Sequence, residues 1–438
     1  MMSNKDFKEW FISNYKTFEK SLNGEKTTSF HQIRKEALSK FSEMNLPTTK
    51  DEEWKYTNIS PIIKHNFSVI PPKADLSTEE VNNFLFDKLE HHLLVFVNGE
   101  FRNDLSRLND LPSSVEVGSL SDAIKKNHPA LMKHFGKYAE DSHNLFTALN
   151  SAYTKDGAFV FVPKGKIIED AIHIIFINKP TQDKFVTQPR NLFIAEDNSK
   201  VTVIEHYTSI GDGVYLNNTV TEMFVGENAI FDHIKLQEES KKSFHISRME
   251  VDQERSSNFS SHLISTGAEF SRNECTTRFN GSGGESTLNG LFMIDDEQFF
   301  DAHTMIDHAK PHCNSYEHYK GILQDKARGV FNGKVMVRPD AQKTNAFQEN
   351  NSILLSDDAV MNSKPQLEIF ADDVKCSHGA TVGKLDEEAK FYLKTRGIGE
   401  EAATAMLIHA FASDVIKSIR IEALRDYLEE IISKRFNQ

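Results

Sequence analysis

The feature that most constrains this fold is the stretch from Ala158 to Gly383, where short β-rich runs recur without a helical period of about 3.6 residues. Gly, Asn, Asp or Ser fills the gaps between runs, as in SIGDG, VGENA and NGSGGES. Regular spacing sustained over such a length is typical of a sandwich, a barrel or a β-solenoid. The runs are AFVFV, AIHIIFI, NLFIA, KVTVIEHY, NTVTEMFV, AIFDHIKL, FHISRMEV, TLNGLFMI, GVFNGKVMV, NSILL and QLEIF.

The composition of these runs favours one of the three architectures. Several runs are apolar on both faces, whereas others alternate apolar residues with Ser, Thr, His and Gln. A right-handed parallel β-helix accounts for this mixture, because its inward positions fill a long core and its outward positions meet solvent or a neighbour. A propeller would require a repeat of about 40 residues with a blade signature, and none is visible. The sequence therefore predicts a mainly β protein built on a right-handed parallel β-helix.

Helical periods flank the β-rich stretch on both sides. Aromatic residues fall at helical spacing over Phe7–Phe18, and a second helix is predicted over Ser29–Met44. The Asn98-Gly99 pair between apolar residues predicts a type I′ β-hairpin. Near the C-terminus, one helix is predicted over Glu387–Thr395 and a longer helical pattern from Glu400 onward. The predicted domains are an N-terminal mostly helical domain over 1–150, a parallel β-helix core over 151–385 and a C-terminal helical domain over 386–438.

Composition and charge exclude several classes of partner. The formal net charge of -13 argues against a nucleic-acid partner, which would require a basic face. The chain has no run of about 18 apolar residues, and its first residues include acidic groups without an unbroken apolar core. Neither a membrane span nor a secretory signal is therefore expected. Cys275, Cys313 and Cys376 form no disulfide framework and no CxxC pair, which predicts a cytoplasmic protein.

The stretch from Gln366 to Gly383 contains the candidate functional residues. As a strand, it places Cys376 and His378 on one face with their Cα atoms ~6.6 Å apart, at a rise of ~3.3 Å per residue. A thiol and an imidazole at that distance can reach one metal ion, but a closed site usually requires four donors. The remaining ligands would come from elsewhere or from another chain. Alternatively, Cys376 is a small apolar residue and His378 a hydrogen-bonded histidine in a strand core.

The same stretch lies at the end of the predicted solenoid. A last coil leaves a row of unpaired backbone groups, which must be capped or paired with another chain. This position makes the stretch a candidate subunit interface. The long apolar stripe of the C-terminal helices predicts, with equal weight, a cap on the solenoid or a docking site for a partner.

Three other features are interpreted structurally. One is a cluster of imidazoles and a thiol that matches no HExxH or related metal pattern, which favours turns and strand pairing over a metal site. The GVFNGKV run is one residue short of a phosphate loop and has Val335 where Ser or Thr is required, so no bound nucleotide is expected. Asp372 and Asp373 point to opposite faces of a strand, which argues against a glycosidase pair. The imidazole cluster consists of His303, His308, His312, Cys313 and His318.

Several long motifs occur in an order that resembles the SufD family, whose members are subunits of the SUF iron–sulfur cluster assembly scaffold. The motifs extend from about Asn144 through the C-terminal helices, and EEWKYTNI is similar to the family's N-terminal region. The sister SufB family shares the general plan, but it is richer in cysteine and departs from CSHGAT. The motifs are NLFTALNSAYTKDGAFVFVPKG, AHTMIDHAKPHCNSYEHYKGIL, RGVFNGKVMV, QENNSILLSDDA, DVKCSHGATVG and FYLKTRGI.

The resemblance implies a non-catalytic scaffold subunit that binds no nucleotide itself. It implies a heterodimer with SufB through the last β-helix strands, and docking of the ATPase SufC, where ATP is hydrolysed, on the C-terminal helical domain. It implies that His378, and secondarily Cys376, binds iron or a transient iron–sulfur cluster shared with the partner. The sequence leaves open whether the isolated chain forms a homodimer. The alternative class is a β-helix carbohydrate-active enzyme, a polysaccharide lyase or hydrolase, which requires carboxylates or basic residues converging on one groove; the sequence shows no such group.

Overall fold

The computed structural model describes residues 4–22, 29–180 and 184–436. Strands dominate the middle of the chain, and helices lie near both ends. The strands are β1 His91–Val97, β2 Glu100–Phe101, β3 Glu116–Ser119, β4 Ala158–Val162, β5 Ala171–Asn178, β6 Phe185–Thr187, β7 Arg190–Ala195, β8 Lys200–Ser209, β9 Tyr215–Val225, β10 Ile230–Glu238, β11 Phe244–Gln253, β12 Asn258–Ser265, β13 Phe270–Phe279, β14 Glu285–Ile294, β15 Phe299–His308, β16 Asn314–Leu323, β17 Arg328–Val337, β18 Asn345–Leu354, β19 Val360–Ile369 and β20 Lys375–Gly383. The helices are α1 Asn4–Lys20, α2 Ser29–Glu43, α3 Ser60–Ile63, α4 Thr78–Asn82, α5 Leu120–Lys125, α6 Pro129–His134, α7 Leu145–Tyr153, α8 Glu387–Thr395, α9 Glu400–Ser418 and α10 Glu422–Phe436, with a short 3-10 helix over Glu52–Trp54.

From β8 onward, consecutive strands alternate between two parallel sheets. Sheet 1 has the order β2-β1-β5-β8-β10-β12-β14-β16-β18-β20, and sheet 2 has the order β19-β17-β15-β13-β11-β9-β7-β4-β3. Each coil therefore contributes one strand to each sheet, and each strand pairs in parallel with the strand two further along the chain. The result is a parallel β-solenoid of about eight turns, which confirms the predicted fold class.

One turn in each coil requires a residue with a left-handed backbone. Seven successive turns that lead from sheet 2 to sheet 1 have such a residue, with φ between 55° and 74°. Each donates its N–H to a carbonyl of the next coil; His312, for example, donates to the Gln342 carbonyl at 2.9 Å. Asn and Gly adopt this conformation at low cost, which explains the Asn and Gly punctuation of the sequence. The seven residues are Gly165, Asn198, Asn228, Ser256, Gly283, His312 and Lys343.

Helices cover the outer faces of both sheets along most of the solenoid. Helices α1, α2 and α7 pack on sheet 2, and α9 and α10 pack on sheet 1. Burial of these apolar faces stabilises the solenoid, at roughly 25 cal/mol per Å² removed from water. The covered residues of sheet 2 include Leu216, Phe244, Ile246 and Phe270, and those of sheet 1 include Ile204, Ile234, Ile264, Leu291, Ile322 and Ile353. The C-terminal helices thus lie along the side of the solenoid and leave its end uncapped.

The termini differ in detail from the predicted pattern. Strands β1 to β3 lie within the segment predicted as mostly helical and extend the two sheets, since β1 pairs in parallel with β5 and β3 pairs with β4. The predicted hairpin at Asn98-Gly99 is confirmed, with φ of 47° and 81° and with Val97 opposite Glu100. The helical pattern from Glu400 is divided into α9 and α10, because Ile419 between them has an extended backbone.

A buried ion pair joins β7 to β9 and leads to a prediction about stability. The Arg190 guanidinium donates to the Glu222 carboxylate at 2.6 Å, and both side chains are almost fully buried. The same carboxylate accepts the N–H groups of Gly136, Tyr138 and Ala139. Glu222→Ala would leave a buried guanidinium and three N–H groups without this acceptor, so we expect a loss of about 3–5 kcal/mol in unfolding free energy.

Urea unfolding of the full chain measures this loss. The matched control is Glu227→Ala, which removes a carboxylate paired with Arg255 on the protein surface and should change stability little. Equal effects of the two substitutions would contradict the assignment of a stabilising buried pair.

Candidate functional site

The solenoid ends in two strands that are much more exposed than the strands before them. Within the described part of the chain, β19 pairs only with β17, and β20 pairs only with β18. Their outer edges therefore present unpaired N–H and C=O groups, the usual template for pairing with another chain. Four large apolar side chains at this end are exposed, of which Phe370 is the most accessible at 62%. They are Val360, Ile369, Phe370 and Val382.

Strand β20 contains both predicted site residues. In the register of β20 with β18, Cys376 lies opposite Ala346 and His378 opposite Gln348. Ala346 and Gln348 are buried inside the solenoid, so strand alternation places Cys376 and His378 on the same inward face. Cys376 is half-buried and packs against the apolar cluster of Ala346, whereas His378 is exposed.

The chemistry of this pair depends on its surroundings. Burial raises the pKa of the Cys376 thiol, and a hydrogen bond from the Ala346 backbone opposes that effect. The thiol therefore needs a metal or an electropositive neighbour to become a thiolate ligand. Over the described ranges, no three His, Cys, Asp or Glu side chains are grouped so that they could hold a metal ion. A metal bound here would take further ligands from outside these residues.

A polar ladder lies directly beneath His378 in the interior of the solenoid. Gln348 lies between His378 on β20 and Glu317 on β16 in the strand register. The Gln348 amide donates from Nε2 to Glu317 Oε2 at 2.6 Å, and both side chains are 2% exposed. Burial raises the pKa of Glu317 to about 7, against the lowering effect of hydrogen bonds from Thr304 and Gln348. An inward carboxylate and amide therefore occupy the two register positions next to that of the exposed imidazole.

Sequence reasoning missed Glu317 and Gln348. Both occupy inward positions that would otherwise be apolar, in the NSYEHYKGIL and NAFQENNSIL strands. A polar residue at a predicted inward position is a signal of a buried hydrogen bond, because buried polar groups require partners. Their proximity to His378 depends on the strand register.

The imidazole cluster is dispersed by the fold. His303 contacts the Glu53 carboxylate at 2.5 Å on the outer face of sheet 2, whereas buried His308 contacts Ser315 Oγ at 2.8 Å in the interior. His312 is one of the left-handed turn residues, and Cys313 contacts the Gly281 carbonyl at 3.4 Å. These four residues therefore lie in one strand and in the turn that follows it, each with the contact or backbone role given above.

The other two motifs are also part of the solenoid framework. The GVFNGKV run lies inside strand β17 instead of forming a loop before a helix. Asp372 and Asp373 lie in the exposed turn before β20, where Asp373 forms an ion pair with Lys343.

The EEWKYTNI motif connects the N-terminal region to the final coils. Glu53 contacts His303 on β15 and Lys334 on β17, and Glu52 forms an ion pair with Lys364 on β19. Trp54 lies 3.9 Å beneath the guanidinium of Arg272 on β13. This short segment thus spans four successive strands of sheet 2, including the last one.

Polar contacts fix the C-terminal helices to the side of sheet 1. Lys320 donates to the Phe411 carbonyl and to Asp414, both at 2.8 Å. Ser418 lies 3.0 Å from His262, and Arg420 pairs with Asp232 at 2.8 Å. Together with the apolar contacts of α9 and α10, these bonds hold the helices as one body with the solenoid.

The C-terminal helices α8 and α9 also carry exposed apolar side chains. They are Phe391, Tyr392 and Met406, which are 69%, 56% and 51% exposed. We call these three residues the α8–α9 patch. Exposed large apolar side chains that form a contiguous surface are typical of a protein-binding site. Of the helices described, none is long and apolar enough to cross a membrane.

The structure is a parallel solenoid with helices along its sides and an open final coil. Comparison with known protein families identifies the class of protein that has this architecture. Residues 176–411 match the family described as "SUF system FeS cluster assembly, SufBD core domain". Residues 5–174 match the "SufBD protein N-terminal region". The chain belongs to the SufBD family of iron–sulfur cluster assembly proteins, and the resemblance drawn from its motifs is confirmed.

Individual relatives match along almost the whole chain. An iron–sulfur cluster assembly SufBD family protein of Synechocystis is 33% identical over 410 residues, covering 92% of this chain and 90% of the relative. The iron–sulfur cluster assembly protein SufD of Escherichia coli is 31% identical over 401 residues, covering 91% of each. The Bacillus subtilis protein of the same name is 28% identical over 417 residues, covering 92% of this chain and 93% of the relative.

Proposed function

We propose that this chain is a non-catalytic scaffold subunit that supplies half of a transient assembly site for an iron–sulfur cluster. The observation that carries the proposal is the open final coil, where exposed His378 and half-buried Cys376 share the inward face of an edge strand. Membership of the SufBD family supports iron–sulfur chemistry at this site. The cluster is cargo, and a small number of ligands from this chain suits its release, because each missing ligand weakens retention.

The partner that completes the site is, in this proposal, the sister subunit SufB. The strands of another solenoid could continue both sheets, since the free edges of β19 and β20 have unpaired backbone N–H and C=O groups. The exposed apolar side chains at this end would be buried in such an interface. SufB would bring the remaining ligands, so the site would exist only at the seam between the two chains. In the absence of SufB, the same edges favour pairing with a second copy of this chain.

The α8–α9 patch is the proposed docking surface for the ATPase SufC. Its exposed aromatic and methionine side chains suit a protein partner. Glu400, at the start of α9, forms ion pairs with Lys390 and Lys394 of α8. Because α9 is bonded to β16 and β14, movement imposed on the patch would reach the solenoid as rigid-body motion. ATP binding and hydrolysis belong to SufC in this scheme, and this chain transmits the motion to the seam.

The proposed compartment is the cytoplasm, with no nucleic-acid partner. Cys275, Cys313 and Cys376 are free thiols, the state that reducing compartments maintain. The net charge of -13 opposes binding to a polyanion.

Substitutions at the free edge test the proposed seam. We expect the double variant Phe370→Asp, Val382→Lys to bind SufB at least about 30-fold more weakly, because charges replace two exposed apolar anchors and a combined loss of about 2 kcal/mol corresponds to that factor. Co-purification of tagged SufB with this chain, followed by titration of the purified proteins, measures the effect.

The control for this experiment is Met132→Lys, which changes an equally accessible apolar residue on α6, far from the seam in sequence and on another element. Both proteins should keep the thermal midpoint of the unmodified chain. Undiminished SufB binding by the double variant would contradict pairing through the final coil.

A further inference from the structure

We infer that Gln348 positions the His378 imidazole, by accepting a hydrogen bond from one ring nitrogen and thereby leaving the other nitrogen bare for a metal. The functional part of this inference rests on the proposed ligand role of His378. Within the described part of the chain Gln348 Oε1 has no hydrogen-bond partner, so the contact requires the exposed His378 side chain to turn toward it. It is inferred from the strand register and from the one hydrogen bond of the Gln348 amide, which are independent of any metal.

A hydrogen bond to β16, the neighbouring strand on the side away from the open end, fixes the orientation of the Gln348 amide. Its Nε2 donates to Glu317 Oε2 at 2.6 Å, and Glu317 lies one strand further from the open end. The space for this arrangement comes from Gly333 on the opposite sheet, where a Cβ atom would lie only 2.4 Å from Gln348 Nε2. Glycine at 333 therefore permits the amide to cross the interior with its nitrogen turned away from β20.

The other end of the amide is left with an unused acceptor. Gln348 Oε1 is buried, and no described residue provides it with a hydrogen-bond partner. The two heavy atoms of an amide diverge from its carbon, so a nitrogen held by β16 presents the oxygen to the side of β20. There, adjacent strands lie about 4.8 Å apart, and the residue directly opposite Gln348 is His378. A buried carbonyl oxygen without a partner is costly, and an N–H of the His378 imidazole would satisfy it.

This contact determines which nitrogen of His378 can bind a metal. An amide oxygen only accepts hydrogen bonds, so the ring nitrogen that faces it must carry the proton. The second nitrogen then has a free lone pair and a fixed direction toward the seam. Support of this kind around a metal-binding histidine typically changes metal affinity by about 10–100-fold. Gln348 is thus a positioning residue: it acts on the cluster only through His378.

The test measures the tautomer of His378 directly in the full-length chain without metal. With ¹⁵N-labelled imidazoles, and with His378 identified by the signal lost in His378→Asn, we expect one ring nitrogen to be protonated and the other bare at pH 8. Gln348→Met removes the acceptor and should move both resonances toward their average. Gly333→Ala, which displaces the amide without removing it, should have the same effect. The matched control is Asn350→Leu, because Asn350 is an equally buried amide on β18 that lies opposite Ala380.

Iron retention in the assembled complex gives the second readout. We expect Gln348→Met to lower the iron retained per complex by about 10-fold or more, and Asn350→Leu to leave it unchanged. A tautomer unaffected by both Gln348→Met and Gly333→Ala overturns the inference. A lost tautomer preference with unchanged iron upholds the contact and overturns the ligand role of His378 instead.

Discussion

Replacement of His378 by alanine is expected to remove most of the iron and sulfide retained by the proposed complex of this chain with SufB and SufC. The imidazole is the more accessible of the two candidate ligands on β20, and a site already short of closed coordination has no reserve ligand to replace it. Loss of one ligand should lower retention by about 10-fold or more. Iron and acid-labile sulfide, measured per complex after anaerobic purification, give the result.

The neighbouring residues provide the controls. Ser377→Ala changes an exposed residue of the same strand that points to the opposite face, and it should leave the cluster content unchanged. Cys376→Ala should have a smaller effect than His378→Ala, because the thiol is half-buried and its raised pKa opposes formation of the thiolate. All three variants should keep their partners, since the substitutions remove no edge backbone group. Unchanged iron and sulfide in His378→Ala would contradict the ligand role.

The second large effect is expected at the C-terminal helices. Phe391→Asp combined with Met406→Asp should abolish detectable SufC binding, because charges replace two of the three exposed apolar side chains of the α8–α9 patch. Binding to SufB should persist, since the patch and the final coil lie on different elements. Isothermal titration with purified SufC, with and without ATP, provides the measurement.

Point substitutions test the α8–α9 patch more specifically than deletion of helices α9 and α10 would. Removal of α9 and α10 would expose Ile234, Ile264 and Leu291 on the outer face of sheet 1 and would be expected to destabilise the solenoid itself. The control is Leu108→Asp, which places the same charge at an apolar side chain of similar exposure near the other end of the molecule. SufC binding that survives the double substitution would exclude the patch as its docking surface.

The strands and their order in the chain were predictable because the sequence marks them locally. Asn, Ser and Gly residues recur at the left-handed turns, and inward apolar positions alternate with polar ones between these turns. The same local reasoning identified β20 and the shared face of Cys376 and His378, since alternation along one strand needs no knowledge of its neighbours.

Contacts between coils were not predictable, because the spacing between stacked residues varies. Successive neighbours across sheet 1 are Asn258, Glu285, Asn314, Asn345 and Lys375, at intervals of 27, 29, 31 and 30 residues. Without a constant period, the sequence gives no register, and the Glu317–Gln348–His378 ladder depends on register alone. The contacts of Glu52 and Glu53 with the last coils were missed for a related reason, since they join residues about 250 or more positions apart.

The central claim is that the final coil of this chain supplies a nitrogen ligand to a cluster at a seam between subunits. The most direct measurement labels only this chain with ¹⁵N-histidine, assembles it with unlabelled SufB and SufC, and records pulsed electron paramagnetic resonance of the reduced cluster. We predict a ¹⁵N hyperfine coupling that disappears in His378→Ala. A loaded paramagnetic cluster without any ¹⁵N coupling would contradict the claim.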